Sequence, residues 1–262
     1  MLVQEILLGT AARLPDKPAL LQGDRSLTYS QVVARSRALA ARLQKMGVAQ
    51  GDRVALLFPN CIEFVVSYFA VLMLGAVVVP LNNRLAPMEF EYIVYDCGAD
   101  LLVVDRLFWP TYQAFEPGLV KKPALVYAGD EAPAGAADFA ALSAPGAAPE
   151  GEPGLTSDSP ACIMYTSGST GLPKGAVMSH GNICVNARNC GAHLCYLESD
   201  VTLIAVPLFH VTGLNSQLVA FFHVGGTCAI LPAYNTADMI AQIERHRVTV
   251  TFKVPTMYSL ML

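Results

Sequence analysis

One short stretch of the sequence combines hydroxyl side chains, glycines and a lysine in a pattern suited to anion binding. It reads Tyr165-Thr166-Ser167-Gly168-Ser169-Thr170-Gly171-Leu172-Pro173-Lys174-Gly175. Four hydroxyl groups lie between Thr166 and Thr170, and three glycines allow backbone turns that other residues resist. Such a loop offers N–H and O–H donors to several oxygens at once, and Lys174 adds a mobile positive charge. The pattern predicts a site for a polyphosphate.

A Gly- and Ser-rich surface linker is the alternative interpretation of this stretch. A linker, however, requires neither a strand directly before it nor an unbroken pattern of hydroxyls. The stretch is not a Walker loop, because Lys174 follows Pro173 rather than a glycine and no Ser or Thr comes next to hold magnesium. An ordinary NTPase or kinase is disfavoured for the same reason.

The spacing of apolar residues predicts the elements that position this loop. Helical and strand patterns alternate as far as Val104, and they resume after residue 160 with strands at 162–165 and 175–178. Ser30 and Asn60 are expected to cap helices. This alternation predicts an α/β fold with two mostly parallel sheets flanked by helices.

Composition divides the chain into three parts. Residues 1–128 form a first α/β part, 129–160 an Ala/Pro/Gly-rich connection with at most one short helical turn, and 161–262 a second α/β part. The regions on both sides of the connection are expected to contribute to both sheets. The sequence stops within an apolar helix that begins at Pro255, without a cap or a glycine, so we expect it to be cut.

Charge and composition exclude several classes of protein. The net charge of −4 argues against a nucleic-acid binder, and 53% apolar residues exclude disorder for most of the chain. The uncharged stretch 64–81 is interrupted by Ser67, Gly75 and Pro80, so it is interpreted as a buried helix and strand rather than a membrane span. The acidic N-terminus does not fit a signal peptide. Seven cysteines without a metal-ligand spacing predict free thiols, no metal site and a cytoplasmic location.

The run from Tyr165 to Gly175 resembles the phosphate-binding signature of the adenylate-forming (AMP-binding) superfamily, in particular the acyl-CoA synthetases and fatty-acid–CoA ligases. Three further stretches resemble its signatures in the same order. They are Leu27-Thr28-Tyr29-Ser30, Leu74-Gly75-Ala76-Val77-Val78-Val79-Pro80-Leu81-Asn82 and Pro207-Leu208-Phe209-His210-Val211-Thr212-Gly213. The resemblance covers essentially the whole chain. It implies the fold of the N-terminal domain of these enzymes.

The resemblance implies a two-step reaction and a set of site residues. ATP would activate a carboxylic acid, fatty or aryl, to an acyl-adenylate, and coenzyme A would then accept the acyl group as a thioester. Lys174 would assist the β- and γ-phosphates, and His210 would lie beside the carboxylate in the acyl pocket. The remaining phosphate-binding residues would be Thr166, Ser167, Gly168, Ser169, Thr170 and Gly171. Mg²⁺ is implied for the complete enzyme, with no ligand from this chain.

Four histidine and phenylalanine positions have a structural and a functional interpretation. His210 would ordinarily be a core residue, but its motif favours the acyl-pocket role and an acid without an α-amino group, because a partly protonated imidazole would not pair with an ammonium. Phe221 and Phe222 are expected to pack in the core rather than line an acyl channel. His180 is expected to help start a helix rather than act as a base.

Several family elements are missing from the sequence. The later Tyr-Gly-x-Thr-Glu signature and the C-terminal lid domain with its catalytic lysine are absent. We therefore expect a truncated N-terminal half that is inactive alone. The alternative is a non-catalytic fragment that at most binds polyphosphate and self-associates, for example as a homodimer, through exposed apolar surface.

Overall fold

A computed structural model of the protein describes residues 1–166 and 171–259. The strands in these ranges are β1 (Pro18–Gln22), β2 (Arg25–Thr28), β3 (Arg53–Leu57), β4 (Val77–Pro80), β5 (Leu101–Asp105), β6 (Ala124–Ala128), β7 (Ala137–Asp138), β8 (Pro160–Thr166), β9 (Lys174–Ser179), β10 (Val201–Ile204), β11 (Thr227–Ile230) and β12 (Val250–Thr251). The α-helices are α1 (Val3–Arg13), α2 (Tyr29–Lys45), α3 (Ile62–Met73), α4 (Pro87–Asp96), α5 (Trp109–Phe115), α6 (Phe139–Ser143), α7 (His180–His193), α8 (Ala220–Val224), α9 (Thr236–His246) and α10 (Pro255–Ser259). A π-helix covers Thr212–Val219.

The chain forms two compact units. The first unit comprises Met1–Val33, Pro59–Ile62 and the residues from Gly181 onward, and the second comprises Ala34–Phe58 and Glu63–His180. Each unit is built around its own sheet.

The first unit contains a five-stranded sheet in the order β12-β10-β11-β1-β2. Its pairs are parallel except for β1 and β2, which form an antiparallel hairpin. Leu203, Ala229 and Met239 are buried together in a core cluster where α9 covers the sheet. Because β10 and β11 pair in parallel up to Ile204 and Ile230, the two strands end side by side. The loops that follow them therefore begin at the same edge of the sheet.

The second unit contains a seven-stranded sheet in the order β7-β6-β5-β3-β4-β8-β9. The β8–β9 pair is antiparallel and the others are parallel. Strands β3, β4 and β5 are almost wholly buried, which explains why they consist of continuous apolar runs rather than alternating ones. A core cluster that includes Phe90 and Phe115, stacked at 5.1 Å, covers one face of this sheet.

The predicted α/β fold with two mostly parallel sheets is confirmed. Strands from both sides of the 129–160 connection enter each sheet, as expected. The connection itself contains β7 and the short helix α6, capped by the Asp138 carboxylate. The apolar stretch 64–81 lies in the buried helix α3 and the buried strand β4. In the described ranges, no helix is long and apolar enough to cross a membrane.

Two helix caps differ from the prediction. Thr28, rather than Ser30, caps α2, because its hydroxyl accepts from the Gln31 N–H while the Gln31 side chain accepts from the Thr28 N–H. This reciprocal pair is a capping box. Asn60 does not cap α3. The Gln22 side chain accepts from the Ile62 N–H instead, at 3.0 Å, and the Asn60 amide is buried elsewhere.

Candidate active site

The β8–β9 hairpin holds the loop predicted to bind phosphate. Thr166 at the end of β8 is paired with Lys174 at the start of β9, so the two ends of the loop lie next to each other. Thr166, Gly171 and Lys174 are all exposed. Lys174 forms no ion pair with any residue in the described ranges. Its ammonium group is therefore available to an anion at the loop.

The glycines of the loop serve two different purposes. Gly171 has a φ of +94°, a left-handed conformation that favours glycine. Gly175 is needed for close packing, since a Cβ at this position would lie 2.9 Å from Cγ2 of Ile163 and 3.0 Å from the Tyr165 ring. The predicted phosphate-binding residues Ser167, Gly168, Ser169 and Thr170 lie outside the described residues.

The strand that enters the loop is anchored by a tyrosine. The Tyr165 hydroxyl donates to the Asp96 carboxylate at the end of α4. Burial raises the pKa of Tyr165 above its ordinary value, and the hydrogen bond to Asp96 raises that pKa further, so the hydroxyl stays protonated as the donor. The end of β8 is thus tied to a helix of the same unit immediately before the predicted site.

His210 belongs to the first unit, on the loop between β10 and the π-helix. Its backbone N–H donates to the Pro207 carbonyl at 3.1 Å, and the Thr212 N–H donates to His210 Nδ1 at 3.3 Å. Because Nδ1 is the acceptor, the proton of the neutral ring resides on Nε2. The His210 side chain is exposed, which distinguishes it from a core histidine.

The helix after His210 begins with a close backbone approach. A Cβ on Gly213 would lie 2.5 Å from the Pro207 carbonyl oxygen and 2.8 Å from that of Val206, so only glycine fits without a shift. The Gln217 amide, wholly buried, donates to Thr202 Oγ1 at 2.7 Å and to the Leu203 carbonyl at 2.9 Å. These contacts fix the wide π-helical turn against β10. Such turns are frequent at functional sites.

The secondary expectations for this region hold. Phe221 and Phe222 are fully buried, and their rings contact Tyr196 and Tyr29 respectively, so both belong to the core. His180 is the first residue of α7, with its side chain buried. All seven cysteines are free.

Sequence reasoning missed three residues that shape these loops. They are Asp96, Gly213 and Asn60, the last of which bonds to the His210 loop. Gly213 belongs to the 207–213 motif, but the sequence does not show that backbone oxygens exclude a side chain at this position. Asp96 carried no signal beyond its polarity, and the position of Asn60 before a helix indicated a cap instead of its true partners.

The structure defines an α/β protein in which a glycine- and hydroxyl-rich sequence connects the paired strands β8 and β9. Residues 8–262 match the family model described as AMP-binding enzyme. The chain therefore belongs to the AMP-binding enzyme family.

Relatives and solved structures agree with this assignment. The chain is 33% identical to 4-coumarate–CoA ligase 2 of Oryza sativa subsp. japonica, over 97% of this chain and 48% of that protein. It is 29% identical to the long-chain-fatty-acid–CoA ligase of Bacillus subtilis (strain 168), over 98% of this chain and 50% of that protein. The anthranilate CoA ligase AuaEII, solved with anthranoyl-AMP, superposes with a TM-score of 0.94 at 29% identity, over 98% of this chain and 50% of that one. The chain thus spans about half the length of these proteins.

Proposed function

We propose that this chain takes part in the ATP-dependent activation of a carboxylic acid, fatty or aryl, and its transfer to coenzyme A. In the first step a carboxylate oxygen attacks the α-phosphorus of ATP, and the bond to the bridging oxygen of pyrophosphate breaks. In the second step the coenzyme A sulfur attacks the acyl carbon of the acyl-adenylate and AMP leaves. Family membership and the names of the relatives support this reaction class.

The β8–β9 loop is proposed to hold the leaving group of the first step. Pyrophosphate gains negative charge as it departs, so donors already oriented toward it lower the barrier. Lys174 supplies the positive charge. The donors are proposed to come from Thr166, Ser167, Gly168, Ser169, Thr170 and Gly171.

His210 is proposed to lie beside the carboxylate of the acid. Its Nδ1 is occupied by the Thr212 N–H, which leaves Nε2 to face the substrate as a hydrogen-bond donor. A donor at this position suits a carboxylate and does not suit an α-ammonium group. The substrate is therefore proposed to be an acid without an α-amino group.

Magnesium is implied by the family resemblance as a companion of ATP. Within the described ranges, no group of three or more His, Cys, Asp or Glu side chains is arranged to hold a metal ion. The described residues therefore do not by themselves fit a metal site.

The observation that carries this proposal is the pairing of Thr166 with Lys174 across the mouth of a family signature loop. The test is acid-dependent ATP–pyrophosphate exchange by the 262-residue chain, with short, medium, long and aromatic acids. Exchange with one class of acid supports activation and identifies the substrate. Absence of exchange with every acid overturns the activity for this chain.

A second candidate function is polyphosphate binding without acyl transfer. One observation favours it: the chain spans only about half of each relative's length. In that case the chain would bind ATP or pyrophosphate but catalyse no exchange. The same assay, run beside a binding measurement, separates the two functions.

Two further properties are proposed. A homodimer is expected through strand β9, which lies at the edge of its sheet and carries Val177, a residue that is 61% exposed. A Val177→Lys variant that is monomeric by light scattering, where the parent chain is dimeric, would support it, and a monomeric parent chain would contradict it. A cytoplasmic location is proposed because the seven cysteines are free thiols.

A further inference from the structure

The side chain of Asn60 makes three hydrogen bonds to the backbone of two neighbouring segments. Its Nδ2 donates to the Val206 carbonyl at 3.1 Å and to the Leu231 carbonyl at 3.2 Å. Its Oδ1 accepts from the Leu208 N–H at 2.7 Å. Asn60 is 6% exposed, so these bonds are shielded from water.

The three partners lie where two neighbouring strands end. Val206 and Leu208 follow β10, and Leu231 follows β11, which pairs with β10 in parallel register up to Ile204 and Ile230. Asn60 therefore joins the beginning of the His210 loop to the end of the adjacent strand.

Pro207 connects the segment that Asn60 binds to His210. Pro207 is held between Val206 and Leu208, the two loop residues that Asn60 binds. The Pro207 carbonyl in turn accepts from the His210 N–H. Displacement of the 206–208 segment would move the acceptor that orients His210.

The chemistry of the segment calls for an amide side chain. The loop presents a carbonyl at Val206 and an N–H at Leu208, whereas Pro207 between them has no N–H to offer. An aspartate would accept from Leu208 but would face two carbonyl oxygens without a donor. An alanine would leave three buried polar groups of the backbone unsatisfied, each at a cost larger than the value of an ordinary hydrogen bond.

We propose that Asn60 is a positioning residue that holds the His210 loop in its binding conformation. The functional meaning of this position rests on the role proposed for His210. The structural part of the proposal concerns only the loop, and it can be tested without any enzymatic activity.

The test compares Asn60→Ala with a matched control, Gln44→Ala, in the 262-residue chain. Gln44 likewise makes two side-chain bonds to a backbone, to the N–H and carbonyl of Glu150, but in the second unit. The first readout is amide hydrogen exchange, and the second is the ¹⁵N chemical shifts of the His210 ring. The chain has five histidines, so the ring signals of His210 are identified by their loss in a His210→Asn variant.

Asn60→Ala is expected to speed amide exchange at residues 208–212 about tenfold. The His210 ring is expected to lose its preference for the Nε2–H tautomer, because the Thr212 N–H no longer stays aligned with Nδ1. Gln44→Ala should leave both readouts as in the parent chain. An unchanged ring signal, or an equal rise in exchange along β1 and β2, would overturn the proposal by showing that Asn60 has no role or a general structural one.

If Asn60→Ala does not fold, amide exchange in the parent chain tests the proposal instead. The Leu208 amide should then exchange at least about tenfold more slowly than an unstructured amide, because its acceptor is a buried side chain. Exchange at the unstructured rate would overturn the proposal. Since neither readout requires turnover, a failed ATP–pyrophosphate exchange assay would count against the proposed function and leave the positioning result intact.

Discussion

Thr166 and Lys174 are paired across the β8–β9 hairpin, at the two points where the chain enters and leaves the loop proposed to bind polyphosphate. Paired residues of antiparallel strands have Cα atoms about 4.5–5.5 Å apart. A hydroxyl from one end of the loop and an ammonium from the other can therefore reach the same anion. The hairpin brings together groups that are separated by seven residues of chain.

Gly175→Ala is expected to distort the hairpin. The added Cβ would meet Ile163 and the ring of Tyr165, which cannot easily withdraw because its hydroxyl is bound to Asp96. Overpacking of this kind costs about 1–3 kcal/mol. Urea denaturation should show that loss in the free energy of unfolding.

The matched control for this variant is Gly154→Ala in the same unit. No atom lies within 4 Å of the Cβ position of Gly154. Its free energy of unfolding should stay within about 0.5 kcal/mol of the parent value. Equal losses in the two variants would contradict the packing role of Gly175.

Gly213→Ala is expected to destabilise the first unit, although alanine favours helices over glycine by about 0.5–1 kcal/mol. Contacts of 2.5 and 2.8 Å with backbone oxygens outweigh that preference, because neither carbonyl can move independently of the His210 loop. Gly9→Ala in helix α1, where a Cβ meets no atom within 4 Å, should instead be stabilising. Thermal unfolding should show a lower Tm than the parent for Gly213→Ala and a higher Tm for Gly9→Ala. A Gly213→Ala variant as stable as the parent would contradict the close approach at Gly213.

The Tyr165 hydroxyl is expected to give the protein a distinct alkaline pH dependence. Burial and the bond to Asp96 raise the pKa of Tyr165 in the folded state above the unfolded value of 10.0. The protonated hydroxyl therefore contributes its full share to the free energy of unfolding below pH 10.0, and this contribution declines as the pH rises above that value. Unfolding free energies at pH 9 and pH 11 should therefore differ more in the parent chain than in Tyr165→Phe. Tyr95→Phe, at a tyrosine that is 69% exposed, is the control and should behave like the parent.

His210→Asn should separate the chemistry of the ring from the structure of its loop. The asparagine Oδ1 can replace Nδ1 as the acceptor for Thr212, so amide exchange at 208–212 should not change. The donor at Nε2 is lost, so the affinity of the chain for a carboxylic acid, measured by calorimetric titration, should fall about tenfold or more. An equal loss of affinity for ATP would indicate that His210 does not act at the acid.

The fold was predictable because its signals are local. Continuous apolar runs in β3, β4 and β5 indicate buried parallel strands, and Gly47 and Gly75, both at positive φ, end the helices that precede two of these strands. The loop at 166–175 could be proposed as a polyphosphate site for the same reason, since its hydroxyls, glycines and lysine are adjacent in the sequence; that role stays a prediction.

The supporting contacts were not predictable because they join distant parts of the chain. Asn60 precedes a helix and therefore looks like a cap, yet its partners lie 146 to 171 residues further along. Asp96 and Tyr165 are 69 residues apart. A single sequence carries no information on such pairs, and only the packed structure identifies their partners.

Calorimetric titration of the 262-residue chain with ATP and with pyrophosphate tests most directly whether the β8–β9 loop binds polyphosphate. We predict saturable binding that weakens about 10–100-fold in Lys174→Met, which removes one charge-assisted contact. Lys45→Met, at another exposed lysine of the same unit, should bind like the parent chain. Equal affinity in Lys174→Met and the parent, or no binding of either anion, would contradict the assignment of this loop.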